Sequence, residues 1–174
     1  YVNFDQPLTE NEIDEYRKRV VLRSKRVPVQ YIVGHQEFMS LDFKVKKGVL
    51  IPRPETEHLV ETVIEYIEKQ KIENPLIADI GTGSGAIAVS LAYHLSKVRV
   101  LGIDISPDAL KIAKENAENH ELRDRVKFLK GSFLEPIKEK GFAPQVIVSN
   151  PPYFKKEDFD DLQPEVEYEP KLAL

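Results

Sequence analysis

Beyond Asn74 the chain alternates short apolar runs with amphipathic stretches. "LIADI" (76–80), "VRVLGID" (98–104), "RVKFLKG" (125–131) and "QVIVS" (145–149) read as strands. Between them "GAIAVSLAYHL" (85–95) and "SPDALKIAKENAENH" (106–120) read as helices, the second with Ser106 as N-cap and Pro107 at its first position. Short buried strands alternating with helices predict a mostly parallel sheet with right-handed crossovers, an α/β doubly wound domain.

Upstream the rhythm differs. Residues 9–24 carry Ile13, Tyr16, Val20 and Val21 at helical spacing behind a Thr9 N-cap, which predicts one helix. Over 27–51 the alternation of Phe38, Leu41, Phe43 and Val45 predicts a small hairpin. The segment 52–70 opens on Pro52 and Pro54, sets Glu55 and Glu57 in a first turn and repeats Leu59, Val63 and Ile67 on one face, predicting an amphipathic helix. The expected organisation is a helical segment over 1–27, a hairpin linker over 28–51 and an α/β domain over 52–174. Four parallel strands make a thin sheet for this class, so further C-terminal strands are expected.

Two junctions carry candidate chemistry. "DIGTGSGAIA" (79–88) lies between a strand and a helix, and Gly81, Gly83 and Gly85 let the backbone turn tightly beside a ligand at a helix start. It lacks the Gly-Lys-Ser/Thr ending of a P-loop, and Thr82 and Ala86 stand where a nucleophile elbow around Ser84 needs glycines. The dinucleotide pattern G-x-G-x-x-A fits too. Gly85 adds a third glycine where a bulky ligand is expected to come close. Asp104 ends the next strand about 20 residues on, where a carboxylate can accept from ribose hydroxyls; alone it reads equally as a solvated strand end. Asp79 stands just before the turn.

The second junction is "VIVSNPPYF" (146–154). In an open parallel sheet, ligands meet the carboxyl ends of strands at the point where strand order reverses. Pro151 and Pro152 stiffen the corner, and the Asn150 side chain and the Pro151 carbonyl offer two acceptors for a planar –NH2 group, with Tyr153 to pack on its face.

Composition narrows the field. With no cysteine, thiolate metal sites and cysteine nucleophiles are excluded, and His35, His58, His94 and His120 show no paired ligand spacing, so no metal is expected. A net charge of −4 gives no basic footprint, and the acidic stretch 157–169 follows the Asn150 corner, so direct nucleic-acid binding is disfavoured. The longest apolar runs fall far short of a membrane span and no secretory signal opens the chain, so the expectation is a cytoplasmic protein.

Together "DIGTGSGAIA", "GIDISPDAL" and "VSNPPY" resemble a class I adenosylmethionine-dependent methyltransferase acting on a planar amino group. The N-P-P-Y motif is common to DNA adenine-N6, some RNA guanine-N2 and protein-glutamine methyltransferases. Residues 28–61, with "IPRPETE", and the closing "YEPKLAL" resemble the HemK/PrmC family. That resemblance implies S-adenosyl-L-methionine as cofactor, S-adenosyl-L-homocysteine as product and, as substrate and partner, the Gly-Gly-Gln glutamine of class 1 peptide chain release factors, methylated at N5 in support of translation termination. It also implies a helical N-terminal domain that helps to dock the release factor, of which residues 1–27 are a part.

By the same resemblance Asn150, Pro151 and Tyr153 are catalytic, with Pro152 beside them at the substrate. Asp79, Gly81, Thr82, Gly83, Ser84, Gly85, Asp104 and Asn150 hold the cofactor, with Phe133 at its adenine and Arg53 at its methionine end. Phe133 also reads as an ordinary core aromatic, and Glu55 and Glu57 as plain helix-start acids. The alternatives are a DNA or RNA amino methyltransferase and, from a different class, a nicotinamide-dinucleotide oxidoreductase.

Overall fold

The computed structural model describes residues 5–154 and 162–174. Helix α1 (Glu10–Ser24) begins on a full capping box: the Thr9 hydroxyl accepts from Glu12 N at 3.3 Å and the Glu12 carboxylate accepts from Thr9 N at 2.7 Å. The predicted helix forms, yet none of its residues is buried. A short helix α2 (Val29–Val33), which the strand-like alternation conceals, closes on Gly34 in the left-handed conformation. It feeds the predicted hairpin, β1 (His35–Phe38) paired antiparallel with β2 (Leu41–Lys44).

The prolines of 52–54 start a 3-10 turn, Pro54–Thr56, before helix α3 (Glu57–Gln70) proper. Its buried stripe is Val60, Val63 and Ile67, with Leu59 only partly covered. Strands and helices then alternate as expected: β3 (Leu76–Ile80), α4 (Ala86–His94), β4 (Arg99–Asp104), α5 (Pro107–Asn119), β5 (Val126–Lys130) and β6 (Val146–Ser149). A second short helix, α6 (Glu135–Glu139), lies between β5 and β6 and is too brief to show a period.

All four strands are parallel, in the order β5-β4-β3-β6. Strand order therefore reverses between β3 and β6. The register sets Ile80 opposite both Ile103 and Ser149, so Gly81, Asp104 and Asn150 emerge side by side at one sheet end.

Alternation along the strands divides the core. Ile77, Val100, Val126 and Val148 face a large cluster with α3, α4 and the hairpin residues Phe38, Leu41 and Phe43. Ala78, Ile80, Leu101 and Ile103 face the other side, where Ile137 of α6 covers them. The hairpin thus shares the core of the sheet. Just beyond it, Val45 and Val49 pack on Ala109 and Ile112 of α5.

Two buried polar side chains organise the upper layer. Asn116 on α5 is wholly buried: Nδ2 donates to the carbonyls of Ser84 and Lys44 at 2.8 and 3.1 Å, and Oδ1 accepts from Lys44 N at 2.8 Å. One amide therefore joins the glycine loop, the hairpin and α5. Asp79, also wholly buried, accepts from the Thr82 hydroxyl at 2.6 Å through Oδ2, while Oδ1 has no hydrogen-bond partner among the described residues. Burial raises its pKa from 3.8 to about 7; the Thr82 and Ala88 groups oppose that shift and the Asp104 carboxylate adds to it.

Replacing Asn116 by Ala strands the Lys44 amide and two carbonyls, and denaturant unfolding is expected to register a loss of about 3 kcal/mol. Asp79 sets a pH slope. The folded state holds its proton more tightly than the unfolded chain, so this group's contribution to stability is full below about pH 4 and is lost as pH rises toward about 7. The Asp79→Asn variant lacks that slope, and melting curves across this window should fall for the parent relative to the variant; parallel curves would overturn the assignment.

Candidate active site

At the carboxyl end of the sheet a cavity of about 330 Å3 opens over the point where strand order reverses. Gly81 and Gly83 line it behind β3, Asp104 and Ile105 behind β4, Phe133 beyond β5, and Asn150, Pro151 and Pro152 behind β6. Val49 and Leu50, from the chain leaving the hairpin, complete one wall.

Gly81 and Gly83 both have positive φ, and a Cβ built on Gly81 meets nothing within 4 Å. The loop is therefore bare on its cavity side, leaving room for a ligand at the backbone. Gly85 is a different case. Its Cβ would come within 3.1 Å of the Ala113 Cβ on α5, and it does not line the cavity. The third glycine answers to helix packing, not to ligand bulk, which corrects the reason expected for it. Thr82, Ser84 and Asp79 likewise lie buried beneath the loop and support it from below.

Asp104 binds the loop and the next helix at once. Oδ2 accepts from Gly83 N and Oδ1 from Ser106 N, both at 2.9 Å. Each oxygen keeps a further lone pair for a ligand hydroxyl. Phe133 sits with φ at 46° and is 75% exposed, so it is no core aromatic. A strained, solvent-facing aromatic at a cavity mouth provides a surface for a flat ring.

These residues suit an adenosylmethionine-sized ligand: bare backbone at the loop, a carboxylate with lone pairs to spare at the next strand end, an exposed aromatic at the rim and an apolar wall from Val49 and Ile105. The walls from Val49, Leu50 and Ile105 escaped the sequence reading. Only the apolar residue directly after Asp104 hinted at one of them.

Asn150 and Pro151 also line a second cavity, of about 580 Å3, together with Arg53, Gln30, Tyr153 and Glu169. The asparagine corner is thus a wall held in common by two spaces. Asn150 Nδ2 donates to Thr56 Oγ1 at 3.4 Å, and the Tyr153 and Phe154 amides both donate to the Leu174 carbonyl, at 2.9 and 2.7 Å. Tyr153 is 72% exposed and its ring stacks on Phe154.

Arg53 lies on this second cavity and not on the glycine-loop cavity. Its guanidinium pairs with Glu169, which is only 4% exposed and also accepts from Ile51 N at 3.0 Å. Nearby, burial and then the Glu169 charge raise the pKa of the Tyr31 phenol well above its usual value. The acidic stretch 157–169 falls partly outside the described residues, at 157–161. Of the remainder, Glu169 is spent on Arg53, and Glu165 pairs with Arg23 at 2.8 Å and Arg26 at 3.1 Å. Two of the three described carboxylates of that stretch are thus paired with arginines.

Among the described residues no helix is long and apolar enough to cross a membrane. The family model described as "Methyltransferase domain" matches residues 73–161, and that described as "PrmC N-terminal domain" matches residues 1–34. The release factor glutamine methyltransferase of Clostridium acetobutylicum is 44% identical over 99% of this chain and 60% of its own length. The one from Moorella thermoacetica is 50% identical over 87% of this chain and 52% of its own length. The chain spans at most about 60% of these relatives. Among solved structures, the N-terminal domain of human METTL16 superposes with a TM-score of 0.59 at 19% identity, covering 87% of this chain and 67% of that one, which speaks for the fold. The α/β doubly wound class expected from the strand rhythm is what the sheet and these matches bear out, and the chain belongs to the methyltransferase-domain family, within its HemK/PrmC group.

Proposed function

We propose that the protein methylates the side-chain amide nitrogen, N5, of a glutamine, using S-adenosyl-L-methionine, and that the glutamine is the one in the Gly-Gly-Gln motif of class 1 peptide chain release factors. The observation that carries this reading is the shared wall: Asn150 and Pro151 face the glycine-loop cavity on one side and the Arg53 cavity on the other. A methyl donor held on one side and an amide entering from the other meet at that corner. The relatives' name, release factor glutamine methyltransferase, supports the choice of substrate. A substrate that belongs to translation supports a cytoplasmic location as part of the same proposal.

Bound in the smaller cavity, the cofactor supplies an electrophilic methyl group on a sulfonium. Gly81 and Gly83 would hold its methionine and ribose portion, Asp104 the ribose hydroxyls and Phe133 the adenine. The chain's own part is positional. An amide nitrogen is a weak nucleophile because its lone pair is delocalised into the carbonyl. Asn150 Oδ1 and the Pro151 carbonyl each accept one of its hydrogens, which aims the nitrogen and favours positive charge building on it. Tyr153 covers the face of the amide. Placement of this kind is worth up to about 7–11 kcal/mol in favourable cases. As the N–C bond forms the S–CH3 bond would break and S-adenosyl-L-homocysteine leave, and the nitrogen's proton, acidic once that bond forms, passes to solvent, so no strong base is needed beforehand.

The assay is labelled methyl transfer in the intact protein to a release factor, to its Gln→Ala variant, and to DNA and RNA. Label is expected on the first alone; label on nucleic acid and none on release factor would sink the proposal. Adenosylhomocysteine should raise the melting temperature and NADH should not. The Asn150→Ala variant is expected to lose turnover by at least about a hundredfold while adenosylhomocysteine affinity shifts far less, the loss of a transition-state contact.

A further inference from the structure

We propose that Thr56, in the "IPRPETE" segment, is a positioning residue that holds the Asn150 carboxamide with its –NH2 on Thr56 and its oxygen toward the substrate. The inference rests on the methyl-transfer reading above and adds to it a residue 94 positions away in the chain.

A carboxamide has two faces of opposite character: an oxygen that accepts and an –NH2 that donates. Turned the wrong way, Asn150 would set its own –NH2 against the –NH2 of the substrate, two donors facing each other. Pro151 and Pro152 fix the backbone of the corner, but rotation about the last side-chain bond of an asparagine is broad and two-fold. Something else has to hold the carboxamide in place.

Thr56 Oγ1 holds the group: a hydroxyl can meet either end of a carboxamide, and the end it meets in this structure is the –NH2. It accepts from Asn150 Nδ2 at 3.4 Å, and no described residue donates to Asn150 Oδ1. With Nδ2 committed to Thr56, Oδ1 is left as the free acceptor. Thr56 is itself held, because it ends the Pro54–Thr56 turn, where its amide donates to the Arg53 carbonyl at 2.9 Å. That turn is anchored on both flanks. The Arg53 guanidinium pairs with the buried Glu169, and Glu57, the next residue, accepts from Met39 N at 2.6 Å. The hydroxyl is thus presented from a rigid support, as a small orienting bond requires.

The test compares Thr56→Val, which keeps the shape and drops the hydroxyl, with Thr56→Ser, which keeps the hydroxyl. Thr56→Val should lower kcat about tenfold, the value of one modest hydrogen bond, with melting temperature and adenosylhomocysteine affinity unchanged. Thr56→Ser should restore turnover to near the parent. If Thr56→Val melts early, Thr56→Ala serves as the hydroxyl-free variant. Parental kcat in the folded hydroxyl-free variant, or a Thr56→Ser as slow as Thr56→Val, overturns the role of Thr56 while leaving the glutamine reading intact. Parental kcat in Asn150→Ala instead overturns the methyl-transfer reading itself.

Discussion

Everything above the sheet hangs on one buried amide. Asn116 sits on α5, yet its three hydrogen bonds end on the glycine loop and on both backbone groups of Lys44 in the hairpin. A carboxamide sealed from water must satisfy its donors and its acceptor at once, so the three segments have one arrangement in which it is content. Gly85 lets α4 start against Ala113, close enough for that arrangement to exist. From it follow the bare turn at Gly81 and Gly83 and the apolar wall at Val49.

The "IPRPETE" segment plays the matching part on the other flank. Ile51 and Arg53 are bound to Glu169, Glu57 to the hairpin tip at Met39, and Thr56 to Asn150. Arg53, Thr56 and Glu57 each reach a different segment. Met39 and Ser40 both adopt positive φ at that hairpin tip, a cost that the Glu57 carboxylate offsets by taking the Met39 amide. Glu55 and Glu57 were equally readable as plain helix-start acids, but Glu57 turns out to be a clamp between α3 and the hairpin. A short stretch with little internal regularity thus fixes the relation between hairpin, sheet and C-terminal turn.

Legibility followed the range of the interactions. Strands buried on both faces carry their own apolar run, and caps are local, so β3, α1 and the Ser106 start of α5 stand where the sequence sets them. Helices α2 and α6, of five residues each, are too short to display a 3.6-residue period and were missed. That Asp104 and the asparagine corner line one cavity was legible because strand ends at a reversal of order meet by topology alone. The destination of Arg53 was not, since its partner Glu169 lies 116 residues further on.

The sequence by itself determined the strand and helix rhythm, the glycine turn, the acidic strand end and the proline-stiffened asparagine corner, because each is written in neighbouring residues whose geometry is set by the backbone. Only the tertiary structure decided that Gly85 serves packing, that Glu165 and Glu169 are consumed by arginines, and that Asn150 stands between two cavities with Thr56 at its back. Those are pairings between segments far apart in the chain. Side-chain type limits what each group can bond to, and only the packed fold selects the partner.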